Sequence, residues 1–170
     1  LPGAFVALGP DIRALAAADF NGDRFSDLAG ADTQGQLTIY LGSADVSFST
    51  PVFSTSFQRF AGVTSVADVN GDRKPDLVLG TDGDLEIFVN TGRGTLSRRQ
   101  VIQGAVHAFA VGDLDGDGIV DFVTANPSST QGLKVYFMGT DFHVAKQVSL
   151  PLTRGSAAVV IADFDDDGLS

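Results

Sequence analysis

The sequence predicts an all-β fold made of β-propeller blades of four antiparallel strands, with about three complete repeats and partial ones at either end. Three observations predict it. An acidic cluster recurs as "DFNGDRFSDLAGA", "DVNGDRKPDLVLG", "DLDGDGIVDFVTA" and "DFDDDGLS", starting at residues 19, 68, 113 and 163. Spacings of 49, 45 and 50 residues are the mark of a repeat architecture. The segments around each cluster recur as well, and they alternate with the period of two that strands require. Helix signals are nearly absent: the one Ala-rich stretch, "RALAAADF", is short and runs straight into a turn cluster.

Within a repeat, the first element is a small, apolar run before the cluster ("IRALAAADF", "GVTSVADV", "AVHAFAVGDL", "SAAVVIADF"). The second follows the cluster ("SDLAGAD", "PDLVLGTD", "VDFVTAN"). The third alternates: Leu37, Ile39 and Leu41 share a face, as do Leu85, Ile87 and Val89, and Leu133, Val135 and Phe137. Tyr40, Phe88 and Tyr136 take one repeat position on the opposite face, which implies that this face is covered too. A more polar fourth segment ("VSFSTPVFSTSF", "GTLSRRQVI", "DFHVAKQVSL") reads as an outer strand. Four strands in about 45 residues is the arithmetic of a propeller blade. The resulting division is 1–11, an outer strand of a preceding repeat; 12–58, 59–103 and 104–152, three repeats; and 153–170, the start of a fourth.

Composition narrows the class of function. The chain has 170 residues, 44% of them hydrophobic, enough to bury a core. It has no cysteine, hence no disulfide framework. No apolar run approaches the roughly 20 residues of a membrane helix, and "LPGAFVALGPDIR" lacks the basic region of a signal peptide. The net charge of −10 is local: the four clusters hold 14 of the 21 acidic residues. Such acidity speaks of ions, and the lack of a basic stripe argues against nucleic acid.

Oxygen ligands at the first, third and fifth positions of a tight loop converge on one point; a backbone carbonyl at the seventh and a later carboxylate complete the shell of a hard cation. The candidates are Asp19, Asn21, Asp23, the Phe25 carbonyl and Asp27; Asp68, Asn70, Asp72, the Lys74 carbonyl and Asp76; Asp113, Asp115, Asp117, the Ile119 carbonyl and Asp121. Asp163, Asp165 and Asp167 begin a fourth set that lacks its ninth-position Asp and is expected to bind poorly. Crowded carboxylates repel one another, and a divalent ion relieves this; six or seven oxygens in a flexible loop suit Ca²⁺ better than Mg²⁺. Asn21-Gly22 and Asn70-Gly71 are also hairpin-turn dipeptides, but a plain hairpin does not require Asp at positions one, five and nine three times over. The loops are not EF-hands, since position twelve is Gly30, Leu79 or Thr124. The third is expected to bind most tightly, with four carboxylates and Gly118 at position six, where the others have three carboxylates and Arg24 or Arg73.

The D-x-[DN]-x-D-x-x-x-D loop between two short strands resembles the FG-GAP/VCBS repeats of integrin α-subunit propellers and of secreted bacterial and fungal propeller proteins, including lectins. The resemblance covers nearly the whole chain. It implies a blade whose loop joins the first and second strands, with the residues above as Ca²⁺ ligands. Three repeats do not close a ring, so the remaining blades of a longer propeller, or a second copy of the chain, are expected partners.

The function expected is a secreted or cell-surface recognition module for a protein or glycan, with Ca²⁺ in a structural role. The alternative is a non-catalytic, carbohydrate-binding accessory domain of a secreted enzyme. Catalysis is not expected: there is no G-x-S-x-G or H-E-x-x-H, and His107 and His143 read as packed or solvated imidazoles. "NTGRGT" at 90–95 reads as a hairpin, and Arg93, Arg98 and Arg99 as a solvated outer strand. An extracellular location is expected, because weak oxygen-rich loops fill at about 10⁻³ M calcium.

Overall fold

A computed structural model describes residues 8, 11–45, 47–48, 51–57, 60–81, 83–104, 106–126, 132–152 and 158–163. Among the described residues, twelve strands form three sheets of four, each antiparallel and in sequential order. Blade 1 comprises β1 (Ile12–Ala18), β2 (Asp27–Asp32), β3 (Gln36–Tyr40) and β4 (Phe53–Ser56). Blade 2 comprises β5 (Phe60–Ala67), β6 (Asp76–Thr81), β7 (Asp84–Gly92) and β8 (Thr95–Gln103). Blade 3 comprises β9 (Ala108–Gly112), β10 (Asp121–Ala125), β11 (Leu133–Met138) and β12 (Val144–Leu150). The predicted all-β propeller blades are thus present, and a single 3₁₀ turn at Thr140–Phe142 is the only helix among the described residues.

The Ala-rich run before the first acidic cluster is a strand because β2 pairs along its length, from Ala14 opposite Ala31 to Ala18 opposite Asp27. The same register recurs: Ala67 faces Asp76 and Gly112 faces Asp121. Each of the first three acidic clusters is therefore the connection of a hairpin, closed at its base by the ninth-position Asp.

Alternation along the third strands builds two cores, one between each pair of blades. Leu37 and Ile39 of β3 join Leu77, Leu79 and Phe88 between blades 1 and 2. Leu85, Ile87 and Val89, on the other face of β7, join Phe122, Tyr136 and Met138 between blades 2 and 3. Blade 2 is covered on both faces, and β6 is buried at all six positions. Phe88 and Tyr136 are thus inter-blade packing residues, as their shared repeat position implied. The outer strand β4 alternates between half-buried and exposed residues, while β12 is half-buried only at Val144 and Val148 and otherwise exposed.

Polar side chains also lie deep in this packing. Glu86 on β7 is fully buried, and its Oε2 lies 3.0 Å from Arg98 Nε on the adjacent β8. Arg98, on the outer strand and 41% exposed at its side chain, reaches in to pair with this buried carboxylate.

Candidate metal centre

Loop 1 (residues 19–26), loop 2 (68–75) and loop 3 (113–120) lie between the first and second strands of their blades. Each folds around its own acidic side chains. In loop 1, Asp19 Oδ1 accepts the Gly22 and Asp23 N–H groups at 2.7 and 3.0 Å, and its Oδ2 accepts that of Arg24 at 2.7 Å. Asp68 takes the N–H groups of Asp72 and Arg73 at 3.0 and 2.7 Å. Asp113 takes those of Gly116 and Gly118, both at 2.8 Å. The fifth-position carboxylates take the seventh-position N–H: Asp23 from Phe25 at 2.8 Å, Asp72 from Lys74 at 2.9 Å, Asp117 from Ile119 at 2.8 Å. These short-range bonds turn the chain tightly, and positions four and six pay in backbone angle. Position four is always glycine at positive φ: Gly22, Gly71 and Gly116. Position six is left-handed in all three, at +74° for Arg24, +64° for Arg73 and +83° for Gly118, so two arginines adopt a conformation that favours glycine.

The loops differ in what their carboxylates face. In loop 3, ligand oxygens of Asp113, Asp115 and Asp117 all lie within 4.8 Å of one another. Neither of the other loops brings three carboxylates together in this way among the described residues. In loop 1, Asn21 occupies the middle position and its Nδ2 donates to Asp23 Oδ2 at 2.8 Å. In loop 2, the Lys74 ammonium sits 2.8 Å from Asp72 Oδ2 and holds that carboxyl below the usual carboxylate range. Three converging, mostly exposed carboxylates fit a hard, oxygen-seeking cation; two of them with an ammonium already in place fit one less well. Asp165 and Asp167 of the fourth cluster lie outside the described residues, and Asp163 stands at the end of the described segment.

The ninth-position carboxylates are set apart from the exposed acids. Asp27, Asp76 and Asp121 are fully buried; Asp76 and Asp121 tie their loops to the third strand of their own blade, and Asp27 ties its loop to Gly42 just beyond β3. Asp27 Oδ2 accepts the Phe20 N–H at 2.8 Å while Oδ1 accepts that of Gly42 at 2.8 Å. Asp76 does the same with Val69 at 3.0 Å and Asn90 at 2.7 Å, and Asp121 with Leu114 and Met138, both at 2.9 Å. Burial pushes all three carboxyls up, to about 6 for Asp76, against the lowering effect of the N–H donors. Asp121 is not one of the three converging carboxylates of loop 3. Spacing marked these residues as ligands; their anchoring role depends on a strand that passes more than a dozen residues later.

The remaining candidates are dispersed. His107 and His143 are both exposed, and His143 Nδ1 contacts the Thr140 carbonyl at 2.5 Å. Residues 90–95 span the end of β7, a tight turn at Arg93-Gly94 and the start of β8, with positive φ at Gly92, Arg93 and Gly94. A cleft of about 270 Å³ opens between loops 2 and 3, lined in part by Val69, Asn70, Ile119, Thr140 and Phe142.

Repeated four-stranded blades, each with an acid-rich loop between its first two strands, define a β-propeller repeat module. A family model described as "FG-GAP-like repeat" matches at residues 19–78, 68–124 and 113–170. The chain belongs to that family. Among solved structures, it is similar to BBS1N in complex with ARL6DN, soaked with lead, with a TM-score of 0.55 and 12% identity over 88% of this chain and 47% of that one. It also matches the Tc holotoxin pore of Photorhabdus luminescens, with a TM-score of 0.45 and 18% identity over 88% of this chain and 7% of that one. The chain thus spans about half the length of the first and a small part of the second. No curated protein matches it by sequence.

Proposed function

We propose that the chain is a Ca²⁺-stabilised β-propeller module that acts as a secreted or cell-surface recognition surface for a protein or glycan, without catalytic activity of its own. The observation that carries the calcium reading is the convergence of Asp113, Asp115 and Asp117 oxygens within 4.8 Å, on a loop whose backbone is already folded by its own carboxylates. A hard cation there would offset the mutual repulsion of three acids and so add its binding free energy to the stability of blade 3. Asp115 and Asp117 are exposed and Asp113 half-buried, so the site is open to an ion from solvent. Loops 1 and 2 are weaker sites, for the reasons given by Asn21 and Lys74.

The recognition reading rests on the scaffold. The two histidines are exposed and far apart in sequence, and the serine hydroxyls of Ser43 and Ser47 that bond the Asp45 carboxylate lie exposed in a loop of blade 1. The cleft between loops 2 and 3, mixed in polarity, suits a side chain or the edge of a sugar better than a reacting centre.

Calorimetric titration of the chelator-stripped chain with Ca²⁺ tests this reading. One site tighter than the rest, lost in Asp117→Ala, is the expected result. Absence of binding heat and an unchanged melting temperature would reduce the loops to acidic hairpins. A glycan array probed with and without chelator then separates a sugar ligand from a protein one.

A further inference from the structure

Asn90 stands at the end of the alternating part of β7 and is only 2% exposed. Its backbone N–H donates to Asp76 Oδ1 at 2.7 Å, and its side-chain Oδ1 accepts the Gly92 N–H at 2.8 Å. Its Nδ2 leaves the blade altogether and donates to the Phe20 carbonyl at 3.0 Å, joining residues 70 positions apart. The Gly94 N–H, at the tip of the same hairpin, reaches that carbonyl at 3.1 Å. Phe20 is the second residue of loop 1, 1% exposed, and its own N–H is held by Asp27. A buried chain of hydrogen bonds therefore runs from the Val69 N–H of loop 2 through Asp76 and Asn90 to Phe20 of loop 1.

The repeat supplies its own comparison. The residues whose N–H groups bond Oδ1 of the ninth-position Asp are Gly42, Asn90 and Met138. Only the one in blade 2 has a side-chain amide, so Met138 offers no equivalent donor with which blade 3 could grip loop 2.

The geometry points to Asn90 as a positioning residue that holds loop 1 in place from the neighbouring blade. Loop 1 then depends for its order on blade 2, a dependence that loop 2 does not have on Met138 of blade 3. Removing the amide would leave the buried Phe20 carbonyl with one donor and the Gly92 N–H without its acceptor, a local loss that opens loop 1 before it opens the fold. The inference needs no cation, and its test is run in chelator, so a failure of calcium binding would not decide it.

The test is amide hydrogen exchange on the full chain, followed by NMR. Asn90→Ala is expected to speed exchange at the Phe20 and Asn21 N–H groups about tenfold or more, while the Leu114 and Met138 N–H groups of blade 3 stay within about twofold. Unchanged exchange in loop 1, or an equal rise in loops 1 and 3, would overturn it. The unsubstituted protein provides a measurement that needs no variant to fold. There the Asn90 side-chain N–H protons should exchange much more slowly than those of exposed Asn70; equal rates would also overturn the inference.

Discussion

Asp121 and Met138 are joined by a 2.9 Å hydrogen bond from the Met138 N–H to Asp121 Oδ1, across 17 residues of sequence. Asp76 with Asn90 and Asp27 with Gly42 repeat it in the other blades. In each case the second carboxylate oxygen holds the second residue of the acidic loop. The most buried acid of each cluster is thus the clamp between loop and sheet.

Asp121→Ala is accordingly expected to destabilise the chain even with no calcium present. It leaves the buried Met138 N–H and the half-buried Leu114 N–H without their acceptor, which costs about 2–4 kcal/mol. Denaturant unfolding in chelator measures this. A variant that loses stability only when Ca²⁺ is added would show that Asp121 serves the ion alone.

Arg24 and Arg73 occupy left-handed backbone at the position where loop 3 has Gly118. Replacing either by glycine removes that strain, partly offset by the greater freedom glycine gives the unfolded chain, for a net gain of up to about 1 kcal/mol. Thermal melts of Arg24→Gly and Arg73→Gly should rise. Gly118→Arg should fall by a similar amount.

The pH dependence follows from Asp76, whose carboxyl is raised to about 6, chiefly by burial. Since the folded chain binds this proton more tightly than the unfolded one, the contribution to stability is complete below about pH 3.8. It is lost as pH rises through about 6. In chelator the chain should therefore gain stability from this group between pH 7 and pH 5, and Asp76→Asn should flatten that gain. Denaturant midpoints across this range decide it; a midpoint that falls steadily from pH 7 to pH 5 would contradict it.

The buried Glu86 is expected to make Arg98 more than a surface charge. Arg98→Ala removes the cation 3.0 Å from a fully buried carboxylate and should cost about 1–3 kcal/mol, above an exposed ion pair but below a fully buried one because Arg98 is itself 41% exposed. Replacing both residues, as Glu86→Met with Arg98→Leu, should recover most of the loss. A double variant no more stable than Arg98→Ala would mean that the pair itself sustains the packing between blades.

The sequence by itself determined the blades and their loops, because both are written in local spacing. A period of two marks the strands, and the recurrence of Asp at fixed offsets marks the hairpin connections at 19, 68 and 113. It also singled out loop 3, through its extra carboxylate and Gly118. Only the tertiary structure decided what each acid does. Asp121 and Asp117 look alike in the motif, yet one is buried under β11 and the other faces solvent, a difference set by a strand pairing that spacing does not encode. The burial of Glu86 and the reach of Asn90 to Phe20 were likewise illegible. Both arise where one sheet packs on another, and the identity of a contact 70 residues away leaves no trace in the local pattern.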